Sequence, residues 1–100
     1  MRETEFKIQY NHDVRARFNF ITAKEGVVKF VVQLEILVEG EWRPAVRYDT
    51  AHGFAHCDWY RRDGSCEKID LQMSAADALT YAQKDARENW ETHRHRLLGE

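Results

Sequence analysis

The stretch Val28-Lys29-Phe30-Val31-Val32-Gln33-Leu34-Glu35-Ile36-Leu37-Val38 decides the fold. Val28, Phe30, Val32, Leu34, Ile36 and Val38 set an apolar side chain at every second position, and Lys29, Gln33 and Glu35 take the alternate face. A repeat of two is the signature of a strand with one face buried and one in water. The preceding run behaves alike, with Val14, Ala16, Phe18 and Phe20 opposed to Arg15, Arg17 and Asn19. Between them Ala23-Lys24-Glu25-Gly26 reads as a hairpin turn. A three-residue loop, Lys24 to Gly26, pairs Ala23 with Val27, Phe18 with Val32 and Arg15 with Glu35. That register sets apolar against apolar and charge against opposite charge.

Downstream, after Glu39-Gly40-Glu41, a third alternation places Trp42, Val46 and Tyr48 on one face and Arg43 and Arg47 on the other. Pro44 has no amide to donate, so it belongs at an edge, a bulge or a non-hydrogen-bonded site. Phe54 to Arg61 and Cys66 to Leu71 flank Arg62-Asp63-Gly64-Ser65, whose Asp-Gly step is a two-residue hairpin signal. Upstream, Phe6, Ile8 and Tyr10 alternate as a short additional strand. Ser74 is placed to cap a helix, with Met73 and Ala78 at the staple positions. From there Ala75, Leu79, Ala82, Ala86, Trp90, His93 and Leu97 form one stripe at helical spacing, and Gly99 supplies the stop. The expected architecture is α+β: an antiparallel β-meander of about five or six strands packed against one long C-terminal helix, residues 1–100 forming one domain. Its core should include Phe18, Phe20, Phe30, Val32, Leu34, Ile36, Val46, Leu79 and Trp90.

Composition agrees with one domain, since 100 residues at 43% hydrophobic suffice for one compact core. A net charge of −2 advertises no global attraction to nucleic acid or anionic membrane, so any basic site must be local. Met1 to Lys7 lacks the apolar run of a signal peptide, and no later stretch approaches a membrane span. A cytoplasmic protein without membrane partner is expected. Cys57 and Cys66 are too few for a disulfide framework and lack zinc-site spacing.

Reactive side chains concentrate in Arg47-Tyr48-Asp49-Thr50-Ala51-His52-Gly53-Phe54-Ala55-His56-Cys57-Asp58. Imidazole transfers protons near neutral pH, carboxylate orients it, and arginine stabilises a developing oxyanion. His52 and His56 are thus candidate acid–base groups, with Asp49 or Asp58 orienting them and Arg47 and Tyr48 at the rim of a shared depression. The same residue types also cap turns. Two histidines with a carboxylate suit several divalent ions, but a loop entering a strand fixes no metal geometry, and neither metal nor other cofactor is expected. Cys57 reads as a small packing residue. On the charged sheet face, Arg15, Arg17, Lys29, Arg43 and Arg47 form a candidate nucleic-acid grip, diluted by Glu35 and Glu39. His93-Arg94-His95-Arg96 suits a helix C-terminus, where cations complement the dipole.

Arg47 to Gly53, followed by His56, resembles small uncharacterised prokaryotic proteins with an Arg-Tyr-Asp-x-Ala-His-Gly signature, and is distantly similar to the TumE-type toxins of toxin–antitoxin modules. The similarity to the toxins covers about a fifth of the chain. His56 is followed here by Cys57-Asp58 instead of a further histidine. The resemblance implies a nucleic-acid-processing context. Three functions follow as expectations: a toxin–antitoxin-associated module recognising a protein or nucleic-acid partner, a metal-independent nuclease or other hydrolase using His52 and His56, and a structural interaction module. An open antiparallel sheet leaves an unpaired edge, so self-association as a homodimer is expected as well.

Overall fold

A computed structural model describes residues 1–51 and 53–100. Among the described residues, six strands follow in chain order: β1 (Arg2–Asn11), β2 (Val14–Ala23), β3 (Gly26–Val38), β4 (Glu41–Asp49), β5 (His56–Tyr60) and β6 (Cys66–Asp70). Each pairs antiparallel with its neighbours in one six-stranded sheet of order β1-β2-β3-β4-β5-β6. One helix, α1 (Ala75–Leu98), covers one face, chiefly over β3 and β4. The α+β meander is the architecture the alternation predicts. No described helix is long and apolar enough to cross a membrane.

The central pairing follows the expected register: Phe18 faces Val32 and Arg15 faces Glu35. Phe18, Phe30, Val32, Leu34, Ile36 and Val46 are buried under α1. The register departs from expectation at two places. Near the first hairpin it shifts between Ile21 and Thr22, so Ala23 pairs with Gly26 and Val28 is the extra residue. Val27 thereby packs against the core in place of Val28, which is exposed. A second shift lies at Pro44, where Leu34 pairs with Val46 but Glu35 with Pro44, leaving Ala45 as the extra residue. One inserted residue reverses parity. Trp42 therefore lies on the helix-free face, under the Arg15 guanidinium at 4.1 Å, and not with Val46 and Tyr48. Arg43 lies opposite Ile36 on the helix side and donates to the Arg62 carbonyl.

The turns have plain causes. Glu39 and Gly40 both have positive φ, 52° and 82°, the conformation a two-residue hairpin between twisted strands requires. The β5–β6 hairpin closes through the Arg61 amide on the Ser65 carbonyl, which makes its loop three residues, with Gly64 at φ 88°. β5 begins at His56, so Phe54 is outside it, whereas β1 is longer than the Phe6–Tyr10 expectation.

Helix α1 starts at Ser74, whose hydroxyl accepts from the Asp77 amide at 3.1 Å, and stops at left-handed Gly99. Ala78, Leu79, Ala82, Ala86 and Leu97 face the sheet. The small alanines let the backbones approach closely. Non-helical φ/ψ at Asn89 interrupts the stripe, and Trp90 is half-buried at its margin instead of fully enclosed. Phe20, likewise, is packed against the core but only partly buried.

Candidate functional site

Two polar systems occupy opposite faces of β4, because Arg47 and Asp49 point away from α1 while Tyr48 points toward it. On the helix-free face, cross-strand register aligns Lys7, Arg17, Gln33, Arg47, Asp58 and Lys68 in one row spanning all six strands. The adjacent row runs Glu5, Asn19, Val31, Asp49, His56 and Asp70. Where the rows meet, Arg47 Nε donates to Asp49 Oδ2 at 2.8 Å and an Arg47 terminal nitrogen donates to Gln33 at 3.3 Å. His56 Nε2 lies 3.0 Å from Asp49 Oδ1, which also accepts from the Ala51 amide at 3.1 Å. Burial pushes the Asp49 carboxyl up, but the Arg47 hydrogen bond, the Ala51 amide and the neighbouring His56 outweigh it and hold it below the usual carboxylate value.

The sequence candidates thus divide. Arg47, Asp49, His56 and Asp58 share the helix-free face, with Asp58 paired to Lys68 at 3.2 Å. Asp49 and His56 are only 4% and 6% exposed, and Asp58 6%, so they lie beneath the surface and not around an open depression. Tyr48 is fully buried on the opposite face and forms no rim. His52, the other proposed acid–base group, lies outside the described residues. Of the basic set, Arg15, Arg17, Lys29 and Arg47 share the helix-free face, while Arg43 does not, because of the Ala45 bulge. Arg15 is committed to Glu35 at 2.6 Å. Among the described residues, no group of three His, Cys, Asp or Glu side chains is arranged to hold a metal ion.

What opens to solvent here is a groove of about 410 Å³ over β1–β4, with Glu5, Lys7, Arg17, Asn19, Gln33 and Arg47 in its lining. The Arg17 and Arg47 side chains are 56% and 40% exposed. The lining holds three cations and one carboxylate, with Arg17 3.8 Å from Glu35 and Arg47 bonded to Asp49 just beneath it. The buried His56 and Asp49 act through Arg47: they fix its Nε edge and thereby aim the guanidinium along the row.

Sequence reasoning missed the second system, between sheet and helix. Asp85 accepts from the Tyr48 hydroxyl, from Asn89 Nδ2 at 2.7 Å and from His93 Nε2 at 2.7 Å. One Arg96 nitrogen donates to both His93 Nδ1 at 2.8 Å and the Ala45 carbonyl at 3.0 Å. An arginine can only donate, so His93 Nδ1 is an acceptor and Nε2 carries the proton given to Asp85. Burial pushes Asp85 up, yet the three hydrogen bonds prevail and bring it down to about 2. The Tyr48 hydroxyl is raised well above its ordinary value by burial and then by the Asp85 charge. Arg94 bonds Asp13 at 2.9 Å and His95 pairs with Glu100 at 3.1 Å, so the basic helix end is engaged internally. The overlooked signal was His93 itself: a histidine on an apolar stripe needs a polar partner, and Asp85, beside that stripe about two turns earlier, supplies it.

The chain belongs to the family described as Domain of unknown function (DUF7718), whose model matches residues 1–99. No curated protein and no solved structure matches it.

Proposed function

We propose that this domain is a partner-recognition module, of the toxin–antitoxin-associated kind that the Arg47–Gly53 resemblance implies, acting in the cytoplasm as a homodimer and holding an acidic protein segment on its helix-free sheet face. The observation that supports this is the groove in which Lys7, Arg17 and Arg47 converge beside the amides of Asn19 and Gln33. Guanidinium groups match carboxylates in a planar, two-bond geometry. Arg47 is oriented before any ligand arrives by Asp49, itself held by His56 and the Ala51 amide, which reduces the ordering cost of binding. A protein segment fits better than a nucleic acid. Glu3, Glu35, Asp58 and Asp70 surround the groove on the same face, and a continuous phosphate backbone would run over them, whereas a short acidic stretch need not. Hydrolysis has less support, because the described histidine, His56, turns its Nε2 to Asp49 and is nearly covered.

Fluorescence anisotropy with a labelled peptide of alternating glutamate and serine tests this, alongside a labelled single-stranded RNA of equal length. The peptide should bind more tightly at the same salt, and Arg17→Glu should weaken it by roughly tenfold or more while Lys84→Glu, on exposed helix surface, leaves it unchanged. Tighter RNA binding, RNA cleavage, or no peptide binding would each overturn the reading.

A further inference from the structure

We infer that two copies of this chain join along β1, antiparallel and centred on Phe6, into one twelve-stranded sheet. The inference rests on the homodimer reading and adds the surface and the register. The two sheet edges differ. β6 has five residues, exposes Glu67, Lys68 and Asp70, and presents no exposed large apolar side chain. β1 has ten, and its helix-side face carries Phe6 and Ile8 at 38% and 40% exposure. The Phe6 ring stacks on Phe18 at 4.6 Å and meets Phe20 edge-on at 6.3 Å, so it is a fixed apolar surface and not a loose end. α1 lies mainly over β3 and β4, away from this edge.

A long edge with unpaired amides and a half-exposed apolar face is normally guarded by a lysine pointing outward. Lys7 stands where such a guard would. Its charge blocks pairing only where nothing opposes it, so each register can be judged by the residues it sets across from one another. Same-face pairing requires residue numbers summing to an even value. A sum of 14 opposes Lys7 to Lys7 of the second copy, and a sum of 10 opposes Glu5 to Glu5. A sum of 12 sets Glu5 against Lys7 twice, by symmetry, with Phe6 against Phe6 and Thr4 against Ile8 on the apolar face and Glu3 against Gln9 on the other. Among these central registers, it alone carries no like-charge pair. Glu5 already accepts from Asn19 at 2.9 Å and, as a carboxylate, retains acceptor capacity for the ammonium. A two-fold axis normal to the sheet keeps both helix-free faces on one side, so the two cationic grooves, each bordered by its own Glu5 and Lys7, would lie beside each other.

Sedimentation equilibrium across a concentration series reads the dimer constant for the wild type, Lys7→Glu, and Glu5→Lys combined with Lys7→Glu. Wild type should be dimeric, Lys7→Glu should weaken association roughly tenfold or more by opposing Glu5 to glutamate twice, and the double exchange should restore it. These positions are exposed, and circular dichroism verifies that each variant is folded. A dimer indifferent to Lys7→Glu would overturn the β1 register while leaving the homodimer. A wild-type monomer at high micromolar concentration would overturn both. Failure of the double exchange to restore association would overturn the Glu5–Lys7 pairing. Lys84→Glu, on the exposed helix surface, should leave the dimer constant unchanged.

Discussion

Replacing Asp85 by asparagine keeps the side chain's shape and removes the charge to which Tyr48, Asn89 and His93 donate. The carboxyl stands at about 2 in the folded protein against an ordinary 3.8, so the folded environment prefers the ionised form by nearly two decades. At about 1.4 kcal/mol per decade, that preference is worth about 2–3 kcal/mol at neutral pH. The side chain is 11% exposed, so solvent screens little of it. Asp85→Asn should therefore lose about 2–3 kcal/mol, and Asp85→Ala about 3–5 kcal/mol, because alanine also strands buried donors. A depressed folded pKa stabilises at pH above the unfolded value and fades as pH falls through the folded one. The gap between wild type and Asp85→Asn should be full above about pH 5 and shrink to roughly half by pH 3. Urea titrations followed by far-UV circular dichroism at pH 7, 5, 4 and 3 measure it. A gap below about 1 kcal/mol at pH 7, or one that widens toward pH 3, would refute the reasoning.

Two other outcomes follow from the same structure. The Cys57 thiol is 1% exposed and pushed up to about 11 by burial and then by the Asp85 and Asp58 charges, so iodoacetamide at pH 8 should alkylate only Cys66 in the native protein and both thiols in urea, as read by peptide mass; rapid native labelling of Cys57 would contradict its placement. Trp42→Ala should cost about 1–2 kcal/mol and Phe30→Ala about 3–5 kcal/mol in denaturation midpoint, since Trp42 lies under Arg15 on the helix-free face and Phe30 is in the core; the reverse order would place Trp42 back among the core residues.

The sheet was legible wherever alternation ran unbroken. Phe18 against Val32 and Arg15 against Glu35 agree in hydropathy and charge together, and few other registers satisfy both. Helix α1 was legible because Ser74 and Gly99 mark its ends chemically. Alternation fails at a bulge, since a single extra residue leaves no mark on composition, and unbroken alternation therefore puts Trp42 and Arg43 on each other's faces. Pro44 was the one available hint, and a bulge was among the positions it allowed. The candidate site was half legible. Arg47, Asp49, His56 and Asp58 do share a face, but parity says nothing about depth: Asp49, His56 and Asp58 are nearly covered, and Arg47 alone of the four opens to solvent. Asp85 was hidden because one acidic residue among many on a charged helix looks solvated until its partners are placed.

The Ala45 bulge has a mechanical meaning for the helix above it. Ala78, Ala82 and Ala86 give α1 a smooth underside, and a smooth rod on a twisted sheet could slide by one turn with little loss of contact. The Ala45 carbonyl is held by Arg96, which also holds His93, which holds Asp85, which accepts a hydrogen bond from the Tyr48 hydroxyl on the strand below. That chain touches β4 at two points three residues apart and therefore works as an index pin, admitting one seating of the rod and rejecting its neighbours. Hydrocarbon in place of the pin would still hold α1 down, but at no single address along the strands.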